Sequence, residues 1–366
     1  MHGWKIQSTP NASGGSVNAL YRIACSSATR CTAVGSYKNT SGTTVTLAQR
    51  WNGIDWFVQS TPNPSGVTFS LLFDVSCPAM ITCTAVGNYQ KNTTLKQTVP
   101  LAESWNGASW VIQSTPVPNG ALGSALSGVS CRSATVCTAV GFYVNSSGVR
   151  LPLVERWNGT AWSIQAAPKP SGAKAATLYD VACPSTSLCL AVGNYVNSSS
   201  VTVTLVERWN GSKWSIQPSP NPSGATATML TDVACPSTTS CTSVGNAVNS
   251  ASVLVPLAER WNGTSWTVQA TPTPAGAVAT VLSGVSCPST TSCTAVGAYA
   301  NSSNVTVTLA EHWNGSAWTV QLTPNPAAAK SSRLFGVSCA TTALCEGVWQ
   351  YVNSSNVQLT LAEGYS

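Results

Sequence analysis

Fourteen cysteines fall into seven pairs of the form Cys-x5-Cys, at an almost fixed interval along the chain. The pairs are Cys25/Cys31, Cys77/Cys83, Cys131/Cys137, Cys183/Cys189, Cys235/Cys241, Cys287/Cys293 and Cys339/Cys345. Successive first members lie 52 residues apart, except Cys77 and Cys131, which are 54 apart. Neighbouring copies agree at roughly two thirds of positions. Such a period marks one supersecondary unit that recurs and stacks on itself. It overrules the two or three domains that 366 residues would otherwise imply.

Copy six shows the unit. Leu282 to Cys287 is short and apolar, Cys293 to Tyr299 follows, and Val305 to Trp313 alternates Val, Thr, Val, Thr and Leu. Each reads as a strand. Asn314-Gly315 is a hairpin signal, and Trp318 to Thr323 is a fourth strand ending at Pro324-Asn325-Pro326. No stretch has helical periodicity. Four short strands per copy predict an all-β, seven-bladed β-propeller of four-stranded blades over 1-366. The expected blades are 17-63, 68-117, 123-169, 175-221, 227-273, 279-325, and 331-366 plus 1-10. An open solenoid is the rival. The termini argue for a ring: Trp4 to Thr9 is an orphan fourth strand, and Val357 to Tyr365 an orphan third strand waiting for it. Pairing them removes two exposed edges.

Each cysteine pair brackets a turn such as Pro288 to Ser292, so a disulfide in each copy is the expectation. Free buried thiols or a metal are the alternatives; zinc favours closer cysteines and more histidine than His2 and His312 supply. Seven disulfides imply an exported, extracellular protein. The chain opens Met1-His2-Gly3-Trp4 inside a repeat, so any secretion signal is expected to have been removed or never included. No apolar run is long enough to cross a bilayer.

Charged residues are only 8% of the chain, which leaves a surface of Ser, Thr, Asn and Gly suited to neutral polar ligands. The net charge of +6 is scattered without a basic run, so nucleic acid is not an expected partner.

The Trp-Asn-Gly-x-x-Trp turn recurs six times, beginning at Trp51, Trp105, Trp157, Trp209, Trp261 and Trp313 and ending at Trp56, Trp110, Trp162, Trp214, Trp266 and Trp318. Paired indoles either stack on a sugar face or staple the hairpin and pack on the next blade. A carboxylate recurs two residues earlier, at Glu103, Glu155, Glu207, Glu259, Glu311 and Glu363, with Gln49 in copy one. Alternation puts it on the half-buried face, where it either takes hydrogen bonds from the neighbouring blade's backbone or indole, or grips a ligand. Asp74, Asp180 and Asp232 share one inner-strand position with Arg22; Gly128, Gly284 and Gly336 fill it elsewhere. These carboxylates either bond backbone amides or face the channel and hold a cation.

The Trp turn resembles the Asp-box turn of sialidase-type propellers, which is structural there. Glu-Arg-Trp-Asn-Gly-x-x-Trp at 155–162 also resembles fucose-binding propeller lectins. That likeness implies that Glu155 holds sugar hydroxyls while Trp157 or Trp162 stacks. The whole repeat, with Gly-Val-Ser-Cys-Pro-Ser, Cys-Thr-Ala-Val-Gly and Leu-Ala-Glu-Arg-Trp-Asn-Gly-Thr, resembles uncharacterised secreted repeat proteins of soil bacteria.

No Ser-His-Asp set can be assembled, and copies this alike lack the broken symmetry of a propeller enzyme. The expectation is therefore a non-enzymatic, monomeric, secreted binding module without cofactor or metal, for glycans or cell-surface components. A structural scaffold ring, natural or engineered, is the alternative. The ligand face stays open. The Trp turns lie on one side of the ring; the Thr-Pro-x-Pro crossovers and loops such as Asn145-Ser146-Ser147 lie on the other. Two extra residues in copy two fall near Gln90 to Lys96. Trp349, where six copies have Gly, is expected to fill space left by Gly364 and Tyr365 in the last copy.

Overall fold

The computed structural model describes residues 3–91 and 97–366; His2 and most of the copy-two insertion lie outside them. Every regular element among the described residues is a strand, 28 in all. Copy one supplies Asn18–Ser27, Arg30–Lys38, Thr44–Trp51 and Trp56–Gln59, paired antiparallel in that order. The later copies repeat it. Five sheets are four-stranded, and one of eight joins copies one and two through a single parallel bridge, Thr44 to Phe69. In the last sheet the fourth strand is Trp4–Gln7, paired with Gln358–Tyr365. These repeated four-stranded units fit a β-propeller.

Alternation builds the core between copies rather than inside them. In one cluster Val140 and Val154 of copy three pack on Leu178, Val181, Leu205, Trp209 and Trp214 of copy four. Val348 and Ala362 of copy seven meet Leu20, Ile23, Leu47 and Trp56 of copy one in the same way. The polar links repeat too. Ser76 and Ser130 take the amides of Cys131 and Cys183, and Ser338 takes that of Cys25 at 2.9 Å.

All seven cysteine pairs are disulfides, and among the described residues no cysteine is free. That content fits an oxidising, extracellular environment. Bracketing a turn does not leave both cysteines at the surface. The second member of each pair, Cys31, Cys83, Cys137, Cys189, Cys241, Cys293 and Cys345, is buried, as is Cys183. Each second cysteine belongs to the apolar cluster between its copy and the one before. Threonine hydroxyls of the preceding copy lie against several of these sulfurs: Thr32 is 3.6 Å from Cys83, Thr84 is 3.7 Å from Cys137, and Thr138 is 3.9 Å from Cys189. Thr242 and Thr294 stand likewise 3.6 and 3.7 Å from Cys293 and Cys345. The expected disulfide is thus present in every copy, and it does more than bracket a turn. Half of each disulfide is core, packed where two copies meet, and these buried positions are closed to a ligand.

Every inner strand carries a β-bulge at one place. Leu20 pairs with Gly35 and Arg22 with Val34, so Tyr21 is the extra residue. The chain crowds the second strand there. A Cβ on Gly35 would meet the Ala19 carbonyl oxygen at 1.9 Å, which is why a residue without a side chain recurs opposite the bulge.

Trp349 takes that glycine position in copy seven and is fully buried. The expected compensation lies elsewhere. Trp349 pairs with Leu361, four residues from Tyr365, and its ring lies 6.1 Å from Tyr351. The space beside Gly364 is filled by the ends of Gln7 and Glu346. Trp349 packs instead in a cluster with Trp4, Leu334, Val337 and Leu361. Trp349→Ala should cost about 3–5 kcal/mol, as large-to-small core changes do. A urea midpoint unchanged by the substitution would contradict this packing.

Candidate ligand pocket at the inner strands

The bulge turns one residue per copy out of the alternation, and several converge in a pocket. Tyr21, Phe73, Ser127, Tyr179, Thr231 and Phe335 line a cavity of about 370 Å³ with Arg22 and Phe142. Tyr21 lies 6.1 Å from Phe73 and 5.9 Å from Phe335, so three successive copies form one aromatic arc. Ser127 places a hydroxyl elsewhere on the wall, whereas the Thr231 hydroxyl bonds the Val244 and Leu282 carbonyls at 3.1 and 3.2 Å. Phe142, capped by Arg150 at 4.1 Å, belongs to the second-strand end that leads into the Asn145 loop.

Arg22 lines the pocket from the position that three other copies fill with aspartate. Asp74 accepts the Val129 amide at 2.6 Å, Asp180 that of Val233 at 2.9 Å, and Asp232 that of Val285 at 2.7 Å. Each carboxylate thus ties its copy to the next. A Cβ on Gly128 would lie 2.6 Å from the Asp180 Cα, so the position cannot carry a side chain in every copy. Arg22 reaches across, donating to the carbonyls of Phe335 at 2.7 Å and Thr231 at 3.2 Å and pairing with Asp232 at 3.8 Å. Burial pushes the Asp74 carboxyl up to about 7 despite the pull of Arg22. Burial and then Asp232 hold Asp180 well above the usual carboxylate range. The positive group among the aspartates is a guanidinium of the chain itself.

The tryptophans stand differently from a row of open platforms. Trp209, Trp261 and Trp313 are buried, as are all six second tryptophans; Trp51, Trp105 and Trp157 are half-buried. The two indoles of each turn lie 5.7–5.9 Å apart. Trp56, Trp110 and Trp162 donate to Gln7, Gln59 and Gln113 of the preceding copy's outer strand. The turn itself is held by its asparagine: Asn158 Oδ1 accepts the amides of Thr160 and Ala161 at 2.9 Å each.

Glu103, Glu155, Glu207, Glu259, Glu311 and Glu363 are fully buried, not partly, so no ligand reaches them in this conformation. The expected backbone and indole donors are also not what they meet. Glu259 takes a 2.8 Å hydrogen bond from the Ser219 hydroxyl of the preceding copy. Glu155, Glu207, Glu311 and Glu363 have no partner among the described residues. Burial pushes each of the six up to about 8. In copy one Gln49 donates its amide to the Pro10 carbonyl at 2.8 Å. The Asn145 and Asn301 side chains of the opposite loops cap their own loop amides.

Recurrence in the sequence does not point to the pocket residues. Their signal is the reverse: Tyr, Phe, Ser, Tyr, Thr, Ser and Phe occupy one position of an otherwise repetitive inner strand.

No protein-family model matches the chain, and neither does any curated protein. Solved structures match it as a fold. A Dyadobacter fermentans protein of unknown function is similar at a TM-score of 0.53 and 8% identity, over 84% of this chain and 97% of that one. AofleA from Arthrobotrys oligospora matches at 0.50 and 10%, over 89% and 91%. Trypanosoma rangeli sialidase in complex with sialic acid matches at 0.50 and 10%, over 99% of this chain but 59% of the sialidase. The expectation of a non-enzymatic chain is corrected here. Its fold neighbours include sialidases, which are enzymes, although at 8–10% identity the likeness is one of fold only. Its premise also fails, since the copies differ at the pocket, where a propeller's symmetry matters most.

Proposed function

We propose that this chain is a secreted, closed, seven-bladed propeller that binds neutral glycans in the pocket at its inner strands. The observation that carries the reading is the aromatic arc of Tyr21, Phe73 and Phe335 with the Ser127 hydroxyl on the same wall. A sugar ring has an apolar face and a hydroxyl rim, and this wall offers a partner for each. The ligand is uncharged because Arg22 already serves two carbonyls and Asp232. Ring closure is supported by the Cys25 amide on Ser338 and by the Trp4–Gln7 strand, which make copy seven neighbour to copy one. The fold holds a sugar elsewhere, in the sialic acid complex of the Trypanosoma rangeli sialidase.

A glycan array followed by calorimetry on the hits tests this. Phe73→Ala and Tyr179→Ala should each weaken binding about tenfold, the worth of one stacked ring, at an unchanged melting temperature. Trp209→Phe should leave affinity unaltered. An array without hits would defeat the glycan reading and favour a structural ring. Hits indifferent to both pocket variants but lost with Trp209→Phe would move the site to the Trp turns.

A further inference from the structure

In three copies the residue before the first tryptophan of the turn caps the next copy's indole. The guanidinium carbons of Arg50, Arg156 and Arg260 lie 5.3, 5.0 and 4.7 Å from the ring centres of Trp105, Trp209 and Trp313. Arg50 and Arg260 also donate to the Met80 and Thr290 carbonyls in the following copy's disulfide turn, each at 2.9 Å. The chain thus defines a guanidinium seat on the indole face three times, and in two of these the guanidinium also donates to a turn carbonyl.

Between copies two and three the cap is Ser104, too short to reach. Trp157 stays half-exposed there. The corresponding turn carbonyl, of Ala134, accepts the Trp157 indole N–H at 3.1 Å and keeps a second lone pair. Copy four shows that stacking is compatible with the indole's own bond: Thr186 accepts Trp209 Nε1 while Arg156 lies over the same ring. A pocket of about 440 Å³ adjoins the indole, walled by Ile112, Gln113, Pro116 and Thr160. The junction of copies seven and one, where Gly364 replaces the cap, differs because Gln7 and Glu346 enter the space.

We propose that the junction of copies two and three binds an arginine side chain of a polypeptide partner. The guanidinium stacks on Trp157 and donates to the Ala134 carbonyl, and the aliphatic stem lies along Ile112 and Pro116. Arginine is preferred to lysine because its flat group matches the stacked geometry of the three internal examples. A polypeptide is the natural carrier because Trp110–Gln113 is the last strand of its sheet, so its outer main-chain groups face an extended segment. The site is separate from the glycan pocket.

The probe is acetyl-Gly-Arg-Gly-amide, titrated against the full chain while the indole N–H signals are followed by NMR. The expected result is a saturable shift centred on Trp157, about fivefold weaker with the lysine peptide, and absent in Ser104→Arg, whose own side chain fills the seat. Trp157→Leu should lose the response as well, which keeps the test decisive if Ser104→Arg fails to fold. A shift spread evenly over all indoles, equal binding of both peptides, binding retained in either variant, or no saturable shift would overturn the proposal. Glycan binding should be unchanged in both variants, so failure here is distinguishable from failure of the glycan reading.

Discussion

Deleting residues 1–10 should lower the melting temperature by roughly 10 °C or more, or leave a protein that elutes as aggregate. The segment ties three copies together. Trp4 is buried and donates to Gln321 of copy six at 3.0 Å. Gln7 receives the Trp56 indole of copy one at 2.7 Å and donates to Glu346 of copy seven. Thr9 meets Thr360 at 2.8 Å, and the Pro10 carbonyl takes the Gln49 amide. Removal orphans the buried Trp56 and Gln49 side chains, at about 1–3 kcal/mol for each, and opens the Gln358–Tyr365 strand as an edge. The cause is testable because the ends meet: the Gly3 amide donates to the Ser366 carbonyl at 3.1 Å. A chain carrying the same ten residues after Ser366 should recover most of the lost stability. A deletion that melts like the full chain would contradict closure.

Much of this fold is legible because the repeat states each strand seven times. The pattern predicts Val305 to Trp313 in copy six and Thr306–Trp313 is found; Cys293 to Tyr299 is found as Ser292–Ala300. The inner strand is longer than expected, Ala279–Ser289 against Leu282 to Cys287, because the bulge lets it continue past an apparent break in pattern. The outer strand stops early, at Gln321, as the chain turns into its crossover. The site is less legible for a physical reason. Alternation tells which face a side chain takes, but not which copy lies opposite. Arg22 meets Thr231 and Phe335, about 200 and 300 residues away, and nothing local marks that meeting. The guanidinium caps are hidden likewise, since Arg50 and Trp105 are neighbours only once the copies stack. The same holds for the second cysteines: spacing pairs Cys83 with Cys77, but only stacking sets it against Thr32. Recurrence draws the eye to Trp and Glu, which recur because they build the contact between copies.

Stability should fall as pH rises from about 5 to 9. Six glutamates drive this: Glu103, Glu155, Glu207, Glu259, Glu311 and Glu363, each raised by burial from 4.5 to about 8. Below pH 4.5 both folded and unfolded chains hold these protons, and the stabilisation is fully present. Between 4.5 and 8 the unfolded chain releases them and the folded one keeps them, so each pH unit favours unfolding; the stabilisation is lost as pH passes the folded value. Asp74 and Glu346, both raised to about 7, and Asp180, also raised, act with the same sign. His312, lowered by burial, opposes them, and it is a single group. Copy one already carries the neutral answer, since Gln49 is buried in this position with its amide on the Pro10 carbonyl. A protonated glutamate has the same shape and also one donor to offer. Glu155→Gln, Glu207→Gln and Glu311→Gln should therefore cost little at pH 6, and together they should flatten the pH profile. The relief at pH 9 is on the order of 5 kcal/mol per site by linkage. Urea midpoints at pH 5, 7 and 9 for the parent and the triple variant measure it. A parent equally stable at pH 5 and 9, or a triple variant with the parent's slope, would show that the glutamates ionise inside the folded chain.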